Sequence, residues 1–293
     1  MLYDVSMKIS YSYEVPASGA RQLVRVLPLT LDEGQRLIAG TVSVSPLPDE
    51  RTDFTDFFRN PATSISFRNP LEHLEIRMQA RVLVETVPQQ ADLSPPVEKL
   101  GDEIFEHWDL GAAAPHHFLG ESPRLQPSPE IADWVRSFLL PGMTVREAAE
   151  TVCRKIHDEF TYVPGATKVD TPPATAFRIR KGVCQDFAHI MIIALRSVGI
   201  PAGYVSGYLR TIPPPGKERL EGADAMHAWV RVWCGQANGW MEWDPTNNMV
   251  AGNDHIRAGY GRDYSDVAPV IGILKSYGRH KTDQAVDVIP VKS

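Results

Sequence analysis

Residues 182–190 read GVCQDFAHI, a cysteine just behind a glycine and at the mouth of an apolar segment. Gly182 admits backbone angles closed to other residues, which suits a tight turn. Beyond it Phe187, Ile190, Met191, Ala194, Leu195 and Val198 recur at threes and fours until Gly199 and Pro201 end the pattern. The spacing predicts a helix with Cys184 in its first turn. There the unpaired backbone N–H groups and the positive end of the helix dipole favour thiolate over thiol. The same N–H groups can hold a developing oxyanion. A cysteine can equally pack as a small buried residue, so position alone leaves both readings open.

Downstream, His227 begins HAWVRVW, a strand pattern that follows a polar, glycine-containing stretch. A histidine at a strand's edge can reach a cleft, and imidazole titrates near neutral pH, as a general base must. Asp244 closes GWMEWDPT, a tryptophan-rich strand followed by proline. If the two strands pair, its carboxylate can accept from one imidazole nitrogen and turn the other towards the thiol. Asp-Pro is also common turn chemistry, so Asp244 has a structural reading beside the catalytic one.

The surrounding chain has 293 residues, a formal net charge of −6, 43% hydrophobic and 23% charged residues. This is the balance of a globular protein with a sizeable core. No run of Lys or Arg offers the basic field that a nucleic acid or an acidic lipid surface needs, so neither is expected as a partner. No segment approaches a membrane span and the opening residues lack a leader's charged and apolar regions, which makes a cytoplasmic location the expectation. Three cysteines without a CxxC pair and nine histidines without HExxH spacing give no zinc pattern. No metal and no cofactor are expected.

Period-two alternation marks YDVSMKISYSYEV, where Val5, Met7, Ile9, Tyr11 and Tyr13 share a face. Further strand-like runs are RQLVRVLPL, QRLIAGTVSVSPLP, TSISFRN and HLEIRMQARVLVETV, so residues 1–90 read as an antiparallel β-sandwich domain. VPQQADLSPPVEK then reads as a linker. Two helices follow. SPEIADWVRSFLL has Ser128 at the N-cap and Pro129 at the first helical position. TVREAAETVCRKIHDEF has Thr144 and Glu147 in capping-box spacing, with Cys153 on its apolar face. After the cysteine helix, AGYVSGYLR, HAWVRVWC and GWMEWDPT read as successive strands, TIPPPGKERLEGAD as an exposed loop, and the remainder from about residue 250 as loop-rich. The second unit, 91–293, is α+β.

GVCQDFAHIMIIALRSVGIPAGYVSGYL, HAWVRVW and WDPTNN together resemble the three motif blocks of the transglutaminase-like superfamily, in its bacterial branch of cysteine peptidases. YVPGATKVDTPP, GRDYSDVAPVIG and the opening β-rich residues resemble the same branch, so the likeness covers most of the chain. It implies a papain-like core with Cys184 as nucleophile, His227 as base and Asp244 as orienter. It also implies acyl transfer at a peptide or isopeptide amide through a thioester, on a peptide or protein substrate. One oxyanion donor would be the Cys184 backbone N–H, and Tyr162 in the preceding loop is a candidate for the other. The alternatives are a protein-glutamine transglutaminase, in which an amine takes the acyl group, and a binding module without activity.

In FFRNPATSI, Arg59 stands where the resemblance leads one to expect a turn glycine. Gln185 and Asp186 read as helix-capping and first-turn groups. His189 lies well round the helix from Cys184 and reads as bordering the core or cleft. His116 and His117 read as loop residues without partners. Trp229, Trp233, Trp240 and Trp243 read mostly as core. The oligomeric state is not legible.

Overall fold

A computed structural model describes residues 1–88, 91–211 and 224–291. Most of the loop expected at TIPPPGKERLEGAD therefore lies outside the described residues. The chain opens with strands β1 (Leu2–Val24), β2 (Gln35–Ser45), β3 (Glu50–Thr55), β4 (Pro61–Ser66) and β5 (Leu71–Val84). Next come helices α1 (Leu100–Phe105), α2 (Pro129–Arg136) and α3 (Val145–Glu159), the two-residue strand β6 (Thr161–Tyr162), helix α4 (Pro173–Ile179), the two-residue strand β7 (Lys181–Gly182) and helix α5 (Cys184–Arg196). Strands β8 (Ala202–Leu209), β9 (Ala225–Trp233), β10 (Trp240–Asp244), β11 (Met249–Val250) and β12 (His255–Gly261) follow, with the short helices α6 (Gly235–Asn238) and α7 (Tyr264–Val267). The last elements are β13 (Val270–Lys275) and β14 (His280–Pro290).

The first sheet is antiparallel and hangs on β1. YDVSMKISYSYEV and the opening RQLV of RQLVRVLPL, expected as two strands, belong to this one 23-residue strand, which ends at Val24. Its pairing with β5 shifts register between Ser12 and Ala17. The first half of β1 pairs with β5 and β14, and its end, from Arg21 to Val24, with β4 and β13. The sheet thus curls over, and Tyr3, Val5, Met7 and Ile9 share one core with Val24, Ile65 and Phe67. Arg59 keeps the turn that glycine would make, at φ 65°, and its N–H donates to Asp56 O at 3.0 Å.

The C-terminal residues correct the sequence reading twice. They are not loop-rich, because β12, α7, β13 and β14 occupy most of them. Residues 270–290, expected within the second unit, complete the first sheet through β1.

The second sheet runs β11-β10-β9-β8-β12, antiparallel throughout. Helix α5 packs against β8 and β9 on one side and against α2, α3 and α4 on others. Every residue from Asp186 to Leu195 is buried, so α5 is the central helix of a second core rather than an amphipathic helix with one wet face. Thr144 caps α3 as expected. Its side chain accepts from Glu147 N, Glu147 answers at Thr144 N, and Val145, Ala148, Ala149, Val152, Cys153 and Ile156 are buried. Tyr208, Ile256 and Ala258 of the second sheet join the core of the first, which ties the two layers together. Among the described residues no helix is long and apolar enough to cross a membrane.

Candidate active site

Cys184 is the first residue of α5 and is half-buried. The turn before it is held from below: Asp186 Oδ2 accepts from Val183 N at 2.8 Å and from Thr167 Oγ1 at 2.6 Å. Gly182 supplies space here rather than a left-handed backbone, because a Cβ at this position would sit 2.7 Å from Asp186 Oδ2. Gln185 Nε2 donates to Val169 O at 3.0 Å, which fastens the YVPGATKVDTPP loop beside the cysteine.

His227 lies on β9, its backbone paired with Gly207 on β8, and Asp244 ends β10. His227 Nε2 and Asp244 Oδ2 are 2.7 Å apart. That leaves Nδ1 as the ring nitrogen open to the Cys184 side chain, whose interaction with the imidazole favours its charged form. The structure therefore brings Cys184, His227 and Asp244 together across 61 residues of sequence.

Burial opposes a charge on His227, but the hydrogen bonds and charges of Asp244 and Cys184 outweigh it and push its pKa up to about 10. Burial likewise works against the Asp244 carboxylate, yet the donors around it hold its carboxyl well below the usual range. Its two oxygens divide the work. Oδ1 accepts from Thr246 N at 2.9 Å and Asn247 N at 3.2 Å, while Oδ2 takes His227. The turn reading of Asp244 describes Oδ1, while Oδ2 is the oxygen that meets the His227 ring.

Sequence reasoning missed His255. Its Nε2 lies 3.1 Å from the same Asp244 Oδ2, and the ring is buried. Read as the start of a weakly patterned tail, it carried no signal of its own; its place at the head of a strand was the clue available. His227, Asp244 and His255 keep their metal-ligand atoms within 4.8 Å of one another. Both imidazole nitrogens, however, stand at hydrogen-bond distance from one carboxylate oxygen.

Trp229 backs the cluster. Its indole is fully buried, stacks on His227 at 6.0 Å between centroids, and donates from Nε1 to Glu242 Oε2 at 2.7 Å. Glu242 also accepts from Arg257 Nε at 3.0 Å and Tyr260 Oη at 2.8 Å.

Tyr162 pairs with Gly182 across β6 and β7, and its ring is exposed. Partial desolvation first, and the Cys184 charge second, push its pKa up, so the phenol keeps its donor proton. His189 borders the core: burial brings its pKa down to about 3, and Nε2 accepts from Tyr264 N at 3.3 Å. Cys153 and Cys234 are buried, and burial pushes both thiols up to about 12. His116 and His117 do have partners, correcting the expectation: their Nε2 atoms meet His107 O at 2.7 Å and Leu110 O at 3.1 Å. A cavity of about 630 Å³ opens along the flank of α5 at His189, Arg124 and Asp170, to one side of the cysteine.

A family model described as the transglutaminase-like superfamily matches residues 132–245, a span that includes Cys184, His227 and Asp244. A second, the bacterial transglutaminase-like N-terminal region, matches residues 3–83. An uncharacterized protein of Mycobacterium tuberculosis is 35% identical over 268 residues, 87% of this chain and 82% of that one. A protein-glutamine gamma-glutamyltransferase of Pseudomonas aeruginosa is 38% identical over 97 residues, 32% of this chain and 14% of that enzyme. The crystal structure of a candidate cysteine protease from Cytophaga hutchinsonii matches all of this chain and 91% of that one, with a TM-score of 0.76 at 21% identity, a likeness of fold.

Proposed function

The chain belongs to the transglutaminase-like superfamily, and from that premise we propose that it is a cysteine-dependent acyl-transfer enzyme that hydrolyses peptide or isopeptide amides. The observation that carries the reading is His227 held between Asp244 at 2.7 Å and Cys184 at the mouth of α5.

In this reading the Cys184 thiolate attacks the amide carbonyl carbon. A C–S bond forms and the carbonyl electron pair moves to oxygen, where the Cys184 backbone N–H and the Tyr162 hydroxyl donate to it. When the oxyanion collapses, the C–N bond breaks and the His227 imidazolium gives its proton to the departing amine. The thioester that remains is attacked by water, with His227 taking the water's proton. The acid leaves and the Cys184–His227 pair is restored. Asp244 keeps the imidazole in the orientation both steps use.

Replacing Cys184 by Ala is expected to abolish amide hydrolysis and also labelling of the folded protein by iodoacetamide at near-neutral pH. Undiminished turnover in C184A removes the proposal. The local likeness to the Pseudomonas glutamyltransferase supports a second reading, in which an amine rather than water accepts the acyl group. Incorporation of a fluorescent amine into a glutamine peptide separates the two, because partition of the thioester depends on how well the cleft excludes water.

A further inference from the structure

Asp244 Oδ2 has three nitrogen neighbours at hydrogen-bond distance: His227 Nε2 at 2.7 Å, Asn247 Nδ2 at 2.7 Å and His255 Nε2 at 3.1 Å. The third comes from the far side of the sheet, since β9 and β8 lie between β10 and β12. On its other edge the His255 ring accepts at Nδ1 from Gly252 N at 3.2 Å. A nitrogen that accepts carries no proton, so the ring's hydrogen sits on Nε2 and points at the carboxylate. His255 is thereby a neutral donor, 1% exposed, packed edge-on against Trp229 at 5.1 Å between centroids.

Resting on the acyl-transfer reading, we propose that His255 is a positioning residue of the Cys184–His227–Asp244 site. Its Nε2–H pins the carboxylate oxygen that holds His227, and so pins the imidazole edge that faces the sulfur. The chain of contacts runs from Gly252 N–H through His255 to Asp244, and from Asp244 through His227 to Cys184. Asp244 Oδ1 is already committed to the turn at Thr246 and Asn247. Oδ2 alone therefore sets where the catalytic imidazole stands, and His255 is the donor that reaches it from outside the Asp244 turn and the His227 strand. A buried carboxylate that loses one such donor relaxes towards those that remain.

The test compares the full-length chain with His255→Leu, which has no donor, and His255→Gln, whose side-chain amide keeps an N–H within reach. Cys184 acylation by an activated ester and alkylation by iodoacetamide are followed together with the melting temperature. The leucine variant is expected to lose about 10- to 100-fold in kcat with KM little changed, as small misplacements of catalytic groups do. The glutamine variant is expected to recover to within a few fold of the parent. Wild-type kcat in the leucine variant overturns the inference, as do equal losses in both variants that track their melting temperatures. If the parent forms no acyl adduct, the acyl-transfer reading fails. The alkylation arm then still decides the point, since leucine and parent reacting alike removes the positioning role. Should the leucine variant not fold, His255→Asn, whose amide stops short of Asp244, takes its place with the same expected loss and the same overturning result.

Discussion

At Asp244 one side chain answers to two neighbourhoods. Its turn-facing oxygen satisfies backbone N–H groups that the Asp-Pro-Thr sequence leaves open, and its other oxygen gathers imidazoles. The His227 pKa, pushed up to about 10 against burial, depends on that carboxylate and on Cys184. A group raised above its ordinary 6.5 contributes stability that is fully present below pH 6.5 and is lost as the pH rises through about 10. Asp244 runs the other way. Its contribution is present above its ordinary 3.8 and disappears as the pH falls through its depressed folded value. Asp244→Asn removes the carboxylate charge and leaves the buried imidazolium only the Cys184 sulfur as counter-charge, so the alkaline limb of turnover, set by the His227 proton, is expected to move to lower pH. A limb unmoved in a pH–rate profile of D244N contradicts this electrostatic account. Cys184 and Asp244 were legible because each sits at the end of a patterned element, and His227 because it heads the apolar run HAWVRVW, although β9 itself begins two residues earlier at Ala225. His255 was not, because its partner is reached only when the loop after β11 carries the chain across the sheet.

Elements that bury a stripe announced themselves, and those that bury little did not. The 3.6-residue spacing of Val145 to Ile156 and the Thr144–Glu147 box located α3. Thr144→Ala is expected to cost about 1 kcal/mol in denaturant unfolding. Cys184 reactivity should stay unchanged, since α3 meets the Asp244 end of the site from behind, through Cys153 at 3.5 Å from Asp244 O and His157 Nδ1 at 3.0 Å from Thr246 O, both far along the helix from its Thr144 cap. The β3 strand, exposed at every position, and β13, exposed at all but its first, show no alternation because neither has an inner face to record. The bend of β1 hid the unity of that strand, since its middle carries polar residues, a proline and a glycine. Between β8 and β12, Gly207 has no room for a side chain: a Cβ would sit 2.1 Å from Ile256 O and 2.5 Å from the Trp229 ring. Gly207→Ala is expected to destabilise the fold by about 1–3 kcal/mol through overpacking, read as a lower denaturant midpoint. An unchanged midpoint contradicts the close approach of these strands.

Over the whole molecule the two ends of the chain meet in one sheet, with Tyr3 opposite Pro290 and Tyr13 opposite His280. Such pairing leaves no local signature, which is why a division near residue 90 came readily from composition and the return of the C-terminus did not. A chain ending at residue 268 would leave the edges of β1 that face β13 and β14 unpaired and expose Val286's and Val288's neighbours in the first core. It is expected to lose cooperative thermal unfolding by circular dichroism, and a truncated chain that melts like the parent contradicts that dependence. The central claim is chemical, that residue 184 carries the acyl group. Intact-mass and peptide mass spectrometry after brief reaction with an activated ester and an acid quench tests it most directly. The account predicts one acyl adduct, on Cys184, lost in C184A and strongly slowed in H227A. An adduct on another residue, or one that forms equally fast without His227, contradicts it.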